Sequence, residues 1–534
     1  MRNIISAPLF FVSILFSVYA HAQNQRINQH IEKVVVAMDM IGNSYVDSVD
    51  MKKLSEDAIK SALEKLDPHS SYISAEELKR MNEPLDGNFD GIGILFNMMK
   101  DTLFVVETVS GGPSQKAGIM PGDRIITVND TLIAGCNKPN TEIMSMLRGS
   151  KGTNVNVKVL RRNNPELIDF KITRDKIPIY SLEAAYMVND STGYIQLSRF
   201  GATTFEEFKK ACKRLKESGM TNLILDLEDN GGGYMEPAIR IANEFLEKDQ
   251  LIVYTEGRHQ PRRAANAFGR GALQDVKLVV MINEGSASAS EIVSGAIQDW
   301  DRGVVVGRRS FGKGLVQSPQ RLPDGSEIRL TIARYYTPSG RSIQKPYKQG
   351  DTKAYQLDIR NRYNKGEMMN ADSIHLSDSL KYKTLANKRT VYGGGGIMPD
   401  HFVPLDTTYY SNYLSKLRYA GVINQTVLDE IDTHREEYLK KYPDAESFIN
   451  SFEVSDDVLN KVKIAAGNEK IEFDESQYER SLPLLKFQIK ALIGRDLFDN
   501  ETFIKIVTTH NNTYKKAIEI IENPELYNSL LTGK

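Results

Sequence analysis

The fold of this chain is decided by residues 278–317, which begin LVVMINEGSASASE at Leu278 and end FGKGLVQ at Gln317. Residues 278–282 form a short, β-branched apolar run, which is typical of a buried strand. Residues 286–300 then place apolar side chains at helical spacing, and residues 303–307 indicate a second strand. The pattern predicts a βαβ unit, with hydroxyl groups where its helix begins and a lysine in a glycine-flanked turn after its second strand.

The residue types at these two places suggest acyl-transfer chemistry. A serine at a helix N-terminus lies near unpaired backbone N–H groups, which can stabilise an oxyanion. Lysine can act as its base when burial leaves the amine neutral, and serine–lysine pairs are a known variant of this chemistry. A second interpretation also fits, because Ser288-Ala289-Ser290-Glu291 matches a capping box, in which Ser288 only satisfies helix amides. The pattern by itself does not choose among the three serines of the run.

A resemblance to a known family distinguishes among the three serines. Residues 283–291, the turn 311–314 and Gln317 resemble, in letters and in spacing, the active-site segments of the carboxy-terminal processing peptidases, also called tail-specific proteases. These are serine proteases with a Ser/Lys dyad and a PDZ domain. The resemblance implies that Ser288 is the nucleophile, that Lys313 is the general base, and that Gln317 orients the lysine.

Composition limits the class of protein. A chain of 534 residues is too long for a single core, and a formal net charge of -1 argues against binding nucleic acid. Its two cysteines, Cys136 and Cys212, cannot make a disulfide framework or a cysteine-based metal site. The eight histidines show no His-x-x-x-His spacing, which disfavours a zinc peptidase. We therefore expect no metal and no cofactor.

The N-terminus resembles a targeting segment. Arg2 precedes an apolar run at 9–16, and Ala20-His21-Ala22 supplies a small-x-small cleavage site. A membrane anchor is the alternative, but the run is short and polar residues follow it. We expect a signal peptide at 1–22, an exported protein that is periplasmic or associated with the cell envelope, and no membrane span after cleavage.

Two regions precede the catalytic segments. Residues 23–80 show helical periodicity, whereas residues 81–175 are rich in strand patterns and resemble a PDZ domain. In such a domain, glycine-rich backbone amides bind a terminal carboxylate and a strand edge accepts the peptide as an added strand. We expect a groove for apolar C-termini of polypeptide substrates, formed by Gly91, Ile92, Gly93, Ile94, Ile143, Met146 and Leu147.

The protease core is predicted at 176–405. Within it, a buried strand at 222–227 runs into the glycine turn 231–233, and the family resemblance places an oxyanion-hole donor in this turn. We expect that donor to be Gly232 or Gly233, acting together with Ala289. The sequence departs from the family at Glu228, where arginine is usual, and at Gly231, where proline is usual.

The remaining segments are less specific. Residues 346–390 are polar, and we expect a surface insertion or mobile flap there. Residues 406–534 are helical and charged, which fits a dimerisation or adaptor-docking region as well as a solvated bundle packed on the core. The predicted fold class is therefore multidomain α/β (α+β): a PDZ domain, a βαβ-containing core of the ClpP/crotonase-like type, and helical terminal regions.

Three functions are compatible with the sequence. The first is an exported serine endopeptidase that cleaves proteins near their C-termini, with a homodimer or an adaptor as possible partners. The second is a catalytically weak PDZ binding protein of the cell envelope, which the changes at Glu228 and Gly231 suggest. The third is a scaffold organised by the helical tail. The joint presence of Ser288, Lys313 and Gln317 favours the peptidase.

Overall fold

The computed structural model describes residues 29–99, 101–162 and 164–533. The predicted signal peptide, residues 1–22, lies outside these ranges. The chain divides into two units. The first comprises the chain up to Ser74 with Pro319–Leu330 and Tyr347–Thr352, and the second comprises the rest.

The first unit contains helix α1 at residues 29–44, helix α2 (Met51–Glu64) and strand β1 (Ser71–Ile73). Asp50 caps α2, since its carboxylate accepts a hydrogen bond from the Lys53 N–H. Strand β1 is antiparallel to residues 327–329 of the same unit. The helical character predicted for this region is therefore present in α1 and α2.

The second unit begins with the region predicted to be a PDZ domain. After helix α3 (Ala75–Asp86), its elements are β2 (Asn88–Gly91), β3 (Ile94–Met99), β4 (Thr102–Thr108), α4 (Pro113–Ala117), β5 (Arg124–Val128), β6 (Thr131–Leu132), α5 (Asn140–Leu147), β7 (Asn154–Leu160), β8 (Ile168–Thr173) and β9 (Asp175–Pro178).

The PDZ sheet has the strand order β3-β4-β5-β7-β8, with β6 paired to β5. Strand β7 alternates buried and exposed residues, as expected when one face of a sheet meets the core. Its buried side chains pack with those of β4, β5 and α5 in one apolar cluster. Strand β3 lies at the end of this order, so one of its edges has no neighbouring strand among the described residues.

The region predicted to be the protease core follows, mostly in the same unit; residues 319–330 and 352 of its elements belong to the first unit. Its elements are β10 (Leu182–Met187), β11 (Thr192–Leu197), α6 (Thr204–Glu217), β12 (Asn222–Asp226), α7 (Met235–Asn243), β13 (Leu251–Gly257), β14 (Gln260–Asn266), β15 (Lys277–Ile282), α8 (Ala289–Asp299), β16 (Val304–Gly307), β17 (Leu315–Arg321), β18 (Glu327–Tyr336), α9 (Thr352–Gln356), α10 (Asp358–Asn364), β19 (Lys381–Lys383), β20 (Thr390–Tyr392) and β21 (His401–Phe402).

The central sheet has the order β10-β11-β12-β15-β16-β21. Strand β10 is antiparallel to β11, and the pairings from β11 to β21 are parallel. The register sets Leu225 opposite Val280 and Val280 opposite Val305. Since the carboxyl ends of parallel strands meet at one edge, the turns after β12, β15 and β16 lie together.

Eight helices complete the described chain: α11 (Asn412–Tyr419), α12 (Val422–Lys441), α13 (Ala445–Ser451), α14 (Asp456–Asn468), α15 (Glu475–Leu497), α16 (Asn500–Thr508), α17 (Asn512–Glu522) and α18 (Pro524–Thr532). Most begin after a polar cap such as Ser411, Asp474 or Asn511, whose side chain accepts a backbone N–H. Helices α11 to α16 share an apolar cluster of their own.

Helices lie on both faces of the central sheet. Helices α6, α7 and α8 pack on one face. On the other, Tyr514 and Ile520 of α17 pack with Ile224, Val279 and Met281 of the strands. This two-sided burial explains why the strand sequences are continuous apolar runs rather than alternating ones. The last helices thus cover one face of the central sheet. No helix in the described ranges has the length and apolar character needed to cross a membrane.

The predicted insertion at 346–390 contains helices α9 and α10. The side chains of Tyr355 and Arg362 are buried. Arg362 donates hydrogen bonds to the carbonyl oxygens of Arg309 and Ser310, which precede the Lys313 turn. This segment therefore contacts the main chain next to a predicted catalytic residue.

Candidate active site

Ser288 lies where strand β15 passes through a short turn into helix α8. It is the N-cap residue, with φ 54° and ψ -108°. A positive φ is rare for a residue other than glycine and costs on the order of 1–3 kcal/mol. Such strain persists only when surrounding contacts fix the backbone, so the contacts of this turn are informative.

The other two serines of the run are committed to the main chain. Ser286 and Ser290 are fully buried. The Ser286 hydroxyl donates to the Leu227 carbonyl over 2.7 Å, and the Ser290 hydroxyl donates to the Asn230 carbonyl over 2.8 Å. Ser288 is partly exposed. Accessibility therefore favours Ser288 among the three candidates.

Glu291 connects the serine turn to the lysine turn. Its Oε2 accepts the N–H of Ser288 at 2.8 Å and the N–H of Lys313 at 2.9 Å. Its Oε1 accepts the Ser310 hydroxyl at 2.5 Å and the Gly312 N–H at 2.8 Å. Burial raises the pKa of Glu291, while these four hydrogen bonds act in the opposite direction. All four partners are donors, which suits an ionised carboxylate.

Tyr335, on strand β18, makes a second connection. Its hydroxyl donates to the Lys313 carbonyl oxygen at 2.6 Å and lies 3.0 Å from the Ser288 carbonyl oxygen. Burial, and to a lesser degree the charge of Glu291, raise the pKa of Tyr335 well above its usual value. The phenol therefore remains a hydrogen-bond donor at every physiological pH.

Gln317 lies four residues after Lys313, on strand β17. Its Nε2 donates to the Thr331 hydroxyl at 3.2 Å. Lys313 is partly buried, with glycines on both sides in the turn that precedes β17. The three residues assigned to catalysis by resemblance thus lie on one βαβ unit and the strand that follows it.

The glycine turn after β12 packs directly against Ser288. Gly232 has φ +96°, and a Cβ added there would lie 2.7 Å from the Ala287 carbonyl oxygen and 2.8 Å from Ser288 Cβ. Gly233 has φ +145°, and a Cβ there would overlap the carbonyl group of Phe200. Both positions require glycine, because a side chain at Gly232 would push the turn away from Ser288 and one at Gly233 would push it away from Phe200.

The three predicted oxyanion donors differ in availability. The Gly232 N–H already donates to Asn230 Oδ1 at 2.9 Å. The N–H groups of Gly233 and Ala289 have no hydrogen-bond acceptor among the residues that the structure describes. Asn230 is itself buried, and its carbonyl oxygen accepts the Ala287 N–H at 3.0 Å. Asn230 therefore sets the distance between the glycine turn and the serine turn.

The unusual Glu228 is held by the C-terminal helices. Its Oε2 accepts a hydrogen bond of 2.5 Å from Asn511, the cap residue of helix α17. Burial raises the pKa of Glu228, whereas Asn511 and the nearby charge of Arg308 lower it. The charge reversal that the sequence suggested near the site is thus accommodated by a contact with the tail.

Asp226, two residues earlier, is also buried. The Tyr194 hydroxyl donates to its Oδ2 at 2.5 Å, and the Glu228 N–H donates to its Oδ1 at 2.8 Å. Burial, followed by the charge of Glu228, raises the pKa of Asp226 to about 8. This carboxyl group therefore titrates near neutral pH beneath the glycine turn.

The predicted peptide groove lies between β3 and α5. Gly91 ends β2, Gly93 has φ +74°, and Ile94 begins β3. Ile92, Ile143 and Leu147 are buried in the PDZ core, whereas Ile94 and Met146 are partly exposed at its margin. Of the predicted apolar lining, Ile94 and Met146 are the side chains that a bound peptide can touch without rearrangement.

Sequence reasoning missed three residues that shape this site. The capping box predicted for Ser288 and Glu291 is present, but its spacing did not indicate that Glu291 also accepts hydrogen bonds from the turn that contains Lys313. Tyr335 and Asn230 lie in strand and turn patterns that gave no indication of their role. In the ranges that the structure covers, no group of three His, Cys, Asp or Glu side chains is arranged to hold a metal ion.

Comparisons with known proteins identify the families to which parts of the chain are similar. Residues 191–354 match Peptidase family S41, residues 91–172 match the PDZ domain, and residues 16–77 match the N-terminal domain of the activating protease CtpB. Residues 413–499 match a family of unknown function. The carboxy-terminal-processing protease of Bartonella bacilliformis is 39% identical over 311 residues, which are 57% of this chain and 70% of that protein. The chain belongs to peptidase family S41.

Two further relatives carry the same description. The carboxy-terminal processing protease CtpA of Bacillus subtilis is 32% identical over 373 residues, 70% of this chain and 78% of that protein. Its counterpart CtpB is 34% identical over 330 residues, 61% of this chain and 68% of that protein. The peptidase is thus a carboxy-terminal processing serine protease with a PDZ domain.

Among solved structures, the photosystem II D1 C-terminal processing protease is 27% identical, covers 58% of this chain and 89% of its own, and gives a TM-score of 0.34. The predicted fold class is confirmed for the PDZ domain, the α/β protease core and the helical terminal regions. The assignment to the ClpP/crotonase-like type stays a prediction.

The Tyr335 contact predicts a specific kinetic defect. Tyr335→Phe removes the hydroxyl between the Ser288 and Lys313 carbonyl groups but keeps the packing of the ring. We expect kcat for peptide cleavage to fall about tenfold, corresponding to about 1.4 kcal/mol, with KM little changed. Tyr336→Phe is the matched control, because the Tyr336 ring stacks on Tyr254 and should still do so. Equal kcat values for the two variants would contradict the role of the hydroxyl.

Asp226 predicts a pH-dependent stability. Because its pKa is higher in the folded chain than in the unfolded chain, the folded state holds this proton as pH rises from about 4 to about 8, and stability falls over that range. Asp226→Asn removes the titration. We expect the Tm of the variant, relative to the parent protein, to increase by several degrees between pH 5 and pH 8. The exposed Asp190→Asn is the control, and a constant Tm difference across pH would refute the assignment.

Proposed function

We propose that the peptidase cleaves polypeptides near their C-termini with Ser288 as nucleophile and Lys313 as general base. The observation that carries this proposal is the double connection between the two turns, through Glu291 and Tyr335. These contacts fix the main chain at both residues and leave Ser288 accessible. Preorganisation of this kind is what a nucleophile and its base require.

The proposed reaction uses residues of one unit. The neutral amine of Lys313 takes the Ser288 hydroxyl proton while Ser288 Oγ attacks the peptide carbonyl carbon. Lys313 then gives that proton to the leaving amine, and water releases the acyl group from Ser288. We assign to Gln317 the orientation of the lysine amine. No metal or cofactor takes part in these steps.

We assign stabilisation of the oxyanion to backbone N–H groups where the serine turn meets the glycine turn. Ala289 is available at the first position of α8, where the helix dipole also favours negative charge. Its partner is Gly233, or Gly232 if its N–H is released from Asn230 Oδ1. The close packing of Gly232 against Ser288 supports either choice.

The catalytic assignment predicts that two conservative variants are inactive. Ser288→Ala removes the nucleophile, and Lys313→Arg replaces the base by a guanidinium group that does not give up its proton at working pH. We expect peptide cleavage to fall at least about a thousandfold in each, with unchanged Tm. Lys213→Arg, on the exposed face of α6, should retain full activity. Cleavage of an unfolded protein by Ser288→Ala at the parental rate would end the assignment.

The PDZ domain is expected to select the substrate's end. Because a terminal carboxylate would be held by the amides near residues 91–94, a peptide substrate ending in an apolar residue should be cleaved with a lower KM than its C-terminal amide. We expect a difference of about tenfold in KM, with similar kcat. A second acid and amide pair, with two aspartates inserted just before the terminal residue, should show no such difference in KM. Equal KM values for the acid and the amide would remove the PDZ domain from substrate selection.

Export and association are proposed on separate grounds. The apolar run at 9–16 and the cleavage site at 20–22 support secretion to the periplasm or cell envelope. Helix α1 exposes Ile31, Val34 and Val35, and an exposed apolar face of this kind supports a homodimer or an adaptor contact. Of the two departures that suggested a catalytically weak binding protein or scaffold, at Glu228 and Gly231, the one at Glu228 is accommodated by a hydrogen bond from Asn511.

A further inference from the structure

A cavity of about 730 Å³ opens where the PDZ domain meets the C-terminal helices. From the PDZ side it is lined by Asn97 and Met98 of strand β3 and by Asn140, the first residue of helix α5. From the other side it is lined by residues of α12 and α14 and the turn before α12, among them Gln425, Lys461, Ile464 and Asn468. Strand β3 and helix α5 are also the two walls of the proposed peptide groove.

The position of the cavity along the groove follows from the strand direction. A peptide added to the open edge of β3 in the antiparallel sense, with its terminal carboxylate at residues 91–94, runs from Ile94 toward Met98 as it is followed away from its end. With a rise of about 3.3 Å per residue, the side chains at Asn97 and Met98 lie beside roughly the fourth to sixth residue from the substrate's C-terminus. The cavity is therefore the upstream continuation of the groove.

Gln425 lines the cavity, and its side-chain amide nitrogen lacks a hydrogen-bond partner among the described residues. The Nε2 of Gln425 is buried and makes no hydrogen bond within the described chain. A buried amide donor without an acceptor is unfavourable by about 1–3 kcal/mol, so such groups usually mark a missing partner. The carbonyl oxygen of an extended peptide is the acceptor that a continuation of the groove would supply.

The two walls of the cavity are fixed to each other. Arg124 of the PDZ domain forms an ion pair of 2.7 Å with Asp432 of α12. Leu428, also on α12, packs with Phe104 and Val106 of β4 in a buried cluster. Because α12 is held against the PDZ sheet in this way, its residues can act as a wall of the peptide site.

We propose that the C-terminal helices α12 and α14 form a second part of the substrate site, which binds the extended chain immediately upstream of the residues held by the PDZ groove, with Gln425 Nε2 donating to a substrate carbonyl. This inference rests on the proposed function, because it takes the PDZ groove as the site of the substrate's C-terminus. It assigns to the helical tail a role in binding substrate.

Peptide length tests the proposal. The probes are two fluorescent peptides that share the same three apolar C-terminal residues, one of three residues and one of ten, whose binding to full-length Ser288→Ala protein is measured by anisotropy. We expect the longer peptide to bind about tenfold more tightly. Gln425→Ala should weaken the longer peptide threefold to tenfold and leave the shorter one unchanged. Gln356→Ala, an exposed glutamine on α9, is the matched control.

A second variant tests whether the cavity must be open, independently of the Gln425 hydrogen bond. Asn468→Trp adds bulk at the exposed end of α14 that lines the cavity and should remove most of the length effect. Asn528→Trp makes the same change on α18, outside the cavity, and should keep it.

The outcomes separate this inference from the proposed function. Equal affinity for the two peptides, or a length effect that survives both cavity variants, overturns the second part of the site and leaves PDZ recognition intact. Failure of both peptides to bind overturns both proposals. If the longer peptide, made as its C-terminal amide, binds as tightly as the acid, only the carboxylate site at residues 91–94 is overturned.

Discussion

The catalytic arrangement depends on one buried carboxylate. Glu291 receives two hydrogen bonds on each oxygen, and the donors come from the start of helix α8 and from the turn that contains Lys313. An ionised carboxylate without partners in the interior would cost several kcal/mol, whereas charge-assisted hydrogen bonds with good geometry compensate that cost. Because all four bonds are satisfied at once only when the two turns are correctly placed, Glu291 makes them a single rigid piece.

The strained backbone of Ser288 becomes understandable in this setting. A positive φ at a non-glycine residue needs surroundings that determine it, and the Ser288 N–H and carbonyl are fixed by Glu291 and Tyr335 respectively. The neighbouring Ser286 and Ser290 contribute by bonding to the main chain after β12. Two of the three serine hydroxyls in the run therefore hold the turn, and Ser288 is the one that is partly exposed.

The C-terminal helices contact both the central sheet and the PDZ sheet. Helix α17 covers the second face of the central sheet, and its cap residue Asn511 binds Glu228 at the base of the glycine turn. Helix α12 is fastened to the PDZ sheet by Arg124 and Leu428. The tail therefore links the region expected to hold the substrate's end with the region expected to cut it.

The amino-acid sequence by itself determined the βαβ unit around residues 278–307, since buried strands and an amphipathic helix have distinct apolar periods. It also indicated the PDZ region and placed Ser288, Lys313 and Gln317 as candidates. It could not show that Glu291 joins two turns, that Tyr335 lies between their carbonyl groups, or that Asn230 already occupies the Gly232 N–H. Nor could it place α17 on the sheet, because an apolar helical stripe does not identify its partner. The spacing of apolar residues is a local property of the sequence. The contacts named above join segments that are distant in sequence, so they form only when the strands pair.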